Sequence, residues 1–132
     1  MEDPQLMAKL GIFEQQVRAL QEQMEAVEKA ILDLTSLKNG LEEIKGKKDH
    51  EILAQMGRGI FVKAKLLSED LIVDVGGKNF VNKDIKSTQK TIGEQLLKLN
   101  SIREELDEHL EKMNQEITKE ILESQKKVKK TK

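Results

Sequence analysis

The chain holds few side chains that could do covalent chemistry, and none of them is spaced for it. It has no cysteine, which removes thiolate chemistry and disulfide bonding. Its two histidines, His50 and His109, stand alone, without the H-E-x-x-H spacing that brings two metal ligands onto one helix face. Gly57-Arg58-Gly59 and Gly76-Gly77 lack both the lysine-hydroxyl ending of a phosphate-binding loop and the spacing of a dinucleotide-binding turn, and read as hairpin turns. Acidic residues recur at i,i+4 spacings from Lys and Arg, the pattern of a stabilised helix surface. The sequence therefore points to no enzyme, no catalytic residue, no cofactor and no metal. What remains is contact chemistry, carried by apolar side chains.

Those side chains follow helical periods. Leu6, Leu10, Phe13, Val17, Leu20 and Met24 continue through Val27, Ile31, Leu34, Lys38 and Leu41 in steps of four and three, with Lys38 the one polar member. A 3.5-residue period held over that length is the seam of a left-handed coiled coil. A second series runs from Ile92 through Leu96, Leu99, Arg103, Leu106, Leu110 and Met113 to Ile117. The first helix is expected over 3–45, with Asp3 as its cap, Pro4 at the first helical position and Gly46 closing its end. Asn39-Gly40 loosens it without ending it, because Leu41 and Ile44 continue the apolar face. The second helix is expected over 84–125, capped by Asp84, with 126–132 a basic, frayed tail. Lys38 and Arg103 interrupt the seams; polar seam positions can fix register, but these two are expected rather to reach out towards water and weaken the seam locally.

Between the helices, residues 51–83 change character. Ile60, Val62, Ala64 and Leu66 alternate with Phe61, Lys63 and Lys65, and glycines precede and follow such runs, so two β-hairpins are expected. A lone hairpin is marginal in water, and its unpaired edges invite another chain. Ile60, Val62, Leu66, Leu71, Val73, Val75 and Phe80 are therefore the candidate oligomerisation residues.

The composition fits long solvated helices. Charged residues make up 36% of the chain, aromatic residues 2%, and the net charge is −1, so no global field draws in nucleic acid or an anionic membrane. No apolar run approaches the roughly 20 residues needed to cross a bilayer, and a cytoplasmic location is expected. The fold expected is α+β, one domain over 1–132, in which a long antiparallel coiled-coil hairpin is joined through two β-hairpins. Folded back antiparallel, seam partners sum to about 130 in residue number: Leu34 meets Leu96, Met24 meets Leu106 and Phe13 meets Ile117. The match fails at the open end, where Leu10 falls opposite Glu120, Leu6 opposite Ser124, and Ile121 and Leu122 slip off the stripe. Unmatched apolar residues there point to an interaction site.

This order of parts, and above all 51–66 (Glu51-Ile52-Leu53-Ala54-Gln55-Met56-Gly57-Arg58-Gly59-Ile60-Phe61-Val62-Lys63-Ala64-Lys65-Leu66) followed by Val73-Asp74-Val75-Gly76, resembles the α class of the prefoldin family, most closely its archaeal form. The chain has Leu53-Ala54-Gln55 where that class usually has a Leu-Val-Pro-like run, and Gly57-Arg58-Gly59 where Gly-Ala-Gly is common. The resemblance implies a hexamer of two α-class and four β-class subunits whose hairpins form an inter-subunit β-barrel platform. It further implies an ATP-independent chaperone that holds unfolded polypeptides at its coiled-coil tips and delivers them to a group II chaperonin. Leu6, Met7, Leu10, Ile12, Phe13, Ile117, Ile121 and Leu122 then become candidate client-contact residues. Two other readings of the chain, and one choice for its tail, stand beside it. An RNA-binding arm would need a basic stripe with stacking aromatics, which the interleaved charges do not supply. The lysine-rich tail could touch an acidic chaperonin surface or remain solvated. A structural coiled-coil spacer or filament subunit shares the fold and differs only in whether the tips bind clients.

Overall fold

The computed structural model describes residues 3–130 and contains two long helices and two small antiparallel sheets. Helix α1 covers Pro4–Ile44 and helix α2 covers Ile85–Lys130, with strands β1 (Glu51–Gly57), β2 (Ile60–Lys65), β3 (Leu71–Asp74) and β4 (Phe80–Lys83) between them. This is the expected α+β element order. The chain divides into two compact units, one holding α1 up to Ile31 with α2 from Lys98, the other holding Leu32–Leu97.

Helix α1 starts where its cap chemistry predicts: the Gln5 N–H donates to the Asp3 carboxylate at 3.0 Å, and Pro4 takes the first helical position. It passes through Asn39-Gly40 unbroken and ends before Gly46, whose φ of 70° is the left-handed conformation that glycine adopts at least cost. The Gly46 N–H donates to the Glu69 carboxylate at 2.5 Å, tying the helix end to the segment that leads into β3.

Helix α2 is capped by Asp84, which accepts from the backbone N–H of Ser87 at 3.2 Å and from the Ser87 hydroxyl. Those bonds, the side-chain one foremost, hold the Asp84 carboxyl below the usual carboxylate range. A depressed folded-state value stabilises at pH above the ordinary aspartate range, and that contribution disappears as pH falls through the folded value. Asp84→Ala is accordingly expected to lower Tm by a few degrees at pH 7. Thermal melts in acid should show that gap closing, as the wild-type carboxylate takes up its proton. The helix runs five residues beyond the Gln125 expected as its end. Backbone 127–130 of the expected tail is thus helical. The remaining tail residues, Thr131 and Lys132, lie outside the described residues.

Burial follows the expected seams. On α1 the half-buried or buried positions are Leu6, Leu10, Phe13, Val17, Leu20, Met24, Val27, Ala30, Ile31, Leu34, Leu41 and Ile44, while Lys38 is exposed. The most enclosed seam residues are Met24, Leu106 and Met113 in the first unit and Leu41, Ile85 and Ile92 in the second. Leu34, Ile44, Leu71 and Leu96 pack against the cluster of Leu41, Ile85 and Ile92. Arg103 is half-buried on its stripe.

Each hairpin forms its own two-stranded sheet. In the first, Ile52 faces Ala64 and Ala54 faces Val62, with a register shift between Gln55 and Gly57 that leads into the Gly57-Arg58-Gly59 turn. All three turn residues have positive φ, which costs little at the glycines and is accepted by Arg58 only because the turn requires it. In the second, Leu71 faces Lys83 and Val73 faces Val81. There the Asp74 carboxylate accepts from the Gly76 N–H at 2.9 Å and pins the turn.

Candidate functional site

Two sets of exposed apolar side chains could carry contact. The first lies at the open end of the helix pair. Here Lys9 sits 3.7 Å from Glu120, one residue from the expected Leu10–Glu120 level, and a cavity of about 120 Å³ is lined by Leu6, Lys9, Glu120 and Ser124. The antiparallel register deduced from the stripe is therefore the one observed at this end. In the second unit, the Gln89 side chain donates to Glu42 across the two helices at 3.0 Å, again on that register. That bond and the neighbouring Lys45 hold the Glu42 carboxyl below its ordinary range.

The eight tip candidates separate into two kinds. Leu6, Leu10, Phe13 and Ile117 are half-buried seam residues. Met7, Ile12, Ile121 and Leu122 lie off the seam and are 52%, 56%, 38% and 53% exposed. The seam members shape the end of the coiled coil, and the off-seam members are what a partner would meet.

The second set is on the hairpins. Strand alternation and the observed register put Leu71, Val73 and Val81 on one face of the β3–β4 sheet, and Ile72, Asp74, Phe80 and Asn82 on the other. Leu71 packs on the Leu41-Ile85-Ile92 cluster, and Val73 borders a cleft with Thr88 and Ile92, so this face is turned towards the chain's own helices. The opposite face is bare: Ile72 is 73% and Phe80 62% exposed. On the first hairpin Ile60, Val62 and also Phe61, Leu53 and Met56 are exposed, while Leu66 is half-buried. Val75, beside the second turn, is exposed as well. The candidate oligomerisation residues thus fall on different faces. Reading one alternating face per strand leaves out the exposed apolar side chains of Ile72, Leu53, Phe61 and Met56, for which the sequence signal is apolar residues on both parities of the same strand.

Thr88 adds an energetic detail at the root of α2. Its hydroxyl is buried with no hydrogen-bond partner, a situation that costs about 1–3 kcal/mol. Thr88→Val keeps the shape and removes the unpaired group, so it should raise the Tm of the isolated chain by a few degrees. A lowered Tm in calorimetry would mean that the hydroxyl is satisfied after all.

Among the described residues there is no group of His, Asp and Glu that could hold a metal ion, and no helix is long and apolar enough to cross a membrane.

A family model for prefoldin subunits matches residues 13–130 of the chain. The chain is similar to prefoldin subunit alpha of Methanobrevibacter smithii, at 31% identity over 110 residues that cover 83% of this chain and 70% of that protein. It is also similar to prefoldin subunit alpha of Methanococcus vannielii, at 29% identity over 111 residues covering 83% of this chain and 75% of that one. Among solved structures, a chain of filamentous PFD from Methanocaldococcus jannaschii, seen by cryo-electron microscopy, superimposes with a TM-score of 0.68 and 19% identity, covering 86% of this chain and 96% of that chain. At that identity the likeness bears on fold alone.

Proposed function

Because the chain belongs to the prefoldin family, and is similar to its archaeal α subunits, we propose that it is an ATP-independent holdase subunit that grips non-native polypeptides at the open end of its helix pair. Membership makes it a chaperone-type subunit. The observation that carries the finer reading is the set of off-seam residues Met7, Ile12, Ile121 and Leu122, which stand exposed where neither helix needs them for packing. Such a site binds weakly and without sequence preference, and Met7 suits it because a thioether adapts to irregular surfaces. Useful affinity comes from several tips gripping one client together. The partners in this reading are β-class prefoldin subunits in a hexamer of two α and four β, joined through the hairpins, and a group II chaperonin that receives the client. No nucleotide, cofactor, nucleic acid or membrane has a part in it, and the site of action is the cytoplasm.

A second reading is a spacer or filament subunit without clients. It is favoured by the bare apolar residues of both hairpins. One measurement separates the two: aggregation of guanidine-unfolded citrate synthase without nucleotide, with this chain alone and with the chain co-expressed with a β-class prefoldin subunit. Suppression by the mixed complex supports the holdase. A well-formed assembly that leaves aggregation unchanged refutes it and leaves the structural reading.

A further inference from the structure

The open end of the helix pair has two unlike flanks. An α-helix turns about 100° per residue, so positions three and four apart share a flank and the seam divides each helix surface into two sides. On one side Gln5 and Lys9 of α1 meet Glu120 and Glu123 of α2, as the Lys9–Glu120 pair and the lining of the distal cavity show. The same rotation puts Ile12 of α1 and Lys112 and Glu116 of α2 on this charged side. On the other side it puts Met7 and Gly11 of α1 beside Asn114, Thr118, Ile121 and Gln125 of α2, all of them exposed and none of them charged. The observed register sets Met7 and Ile121 at the same level, so these two form one patch across both helices. Leu122 points away from it along the back of α2. Towards the hairpins the uncharged strip is closed by the Glu14–Arg18 ion pair, which is 3.3 Å long.

We infer that client contact at the tip is one-sided: an apolar, uncharged stretch of non-native polypeptide lies on the Met7–Ile121 side, and the Lys9–Glu120 side takes no part. The inference rests on the holdase reading and names the face and the client chemistry it selects. Charge decides the side. A hydrophobic segment on the charged flank would strip water from Lys9, Glu120 and Glu123 without supplying partners, which is unfavourable, whereas the opposite flank presents two apolar side chains and neutral amides and hydroxyls. Size decides against a second copy as the occupant. Two partly exposed side chains and their margin fall far short of the roughly 1,200 Å² that a stable pairwise interface buries. A brief, multiply repeated contact is what such a patch can make.

The absence of native cysteine makes the test direct. Four single-cysteine variants, Met7→Cys, Ile121→Cys, Ile12→Cys and Leu122→Cys, are labelled with a maleimide benzophenone in the assembled protein and irradiated with guanidine-unfolded citrate synthase. Cross-links are expected at 7 and 121, at several-fold higher yield than at 12 and 122. Paired variants then test consequence: Met7→Ser with Ile121→Ser should lose most of the aggregation suppression, and Lys9→Ser with Glu123→Ser, on the charged side, should keep it, with assembly size unchanged in both. Equal cross-linking from all four sites, or equal loss in both pairs, would overturn the one-sided face while leaving the tip as the client site. No cross-linking and no loss in either pair would overturn the tip reading itself.

Discussion

Removing 1–12 and 118–132 together should leave the assembly intact by light scattering and abolish protection of an unfolded client. The two cuts fall at one level, because Phe13 and Ile117 are seam partners in the observed register, so no apolar seam residue is left facing an empty place. What goes is the end that contains Lys9, Glu120 and the four off-seam residues Met7, Ile12, Ile121 and Leu122. The enclosed seam residues Met24, Leu106 and Met113 stay, as does the cluster of Leu41, Ile85 and Ile92. The loss in Tm should therefore be small. The loss in client affinity should be large, because affinity assembled from several weak grips falls by on the order of 10²-fold or more when the grips are removed together. Full suppression of aggregation by the truncated protein would sink the assignment of the tips.

The second large effect is expected at the bare face of the second hairpin. Ile72→Asp should dissociate the assembly into folded single chains, read as a drop in mass by light scattering with the helical circular dichroism retained. In the single chain this side chain is almost fully in water, so the carboxylate there is harmless. In an assembly that buries it, an unpaired charge costs several kcal/mol, enough to break a contact of this size. Val73→Asp makes a useful contrast. Val73 borders the cleft shared with Thr88 and Ile92, so a charge there disturbs the chain's own packing as well as any assembly, and both mass and Tm should fall. If Ile72→Asp assembles like the wild type, the exposed hairpin face is not an assembly surface, and the contact must be sought at Leu53, Phe61 and Met56 on the first hairpin.

Much of this molecule is written locally. Helix starts at Asp3 and Asp84, the turn at Gly57-Arg58-Gly59 and the end of α1 before Gly46 are set by the chemistry of one to four neighbouring residues, and all were readable in order along the chain. The seam and its register were readable too, because a coiled coil is close to a one-dimensional object: a stripe with a 3.5-residue period admits few antiparallel alignments that keep apolar residues together. Tertiary structure decided what depends on a third direction. Leu71 and Phe80 look alike as strand residues, yet one packs on the helix root and the other stands bare, since which face of a sheet is covered depends on what the chain brings against it. Likewise Met7 and Ile12 are equivalent as exposed apolar residues of one helix. They became different only when the second helix, in register, placed Ile121 beside the one and charged residues on the flank of the other. Local backbone preference and period act along the chain; the partition of a surface into apolar and charged sides arises between segments about a hundred residues apart.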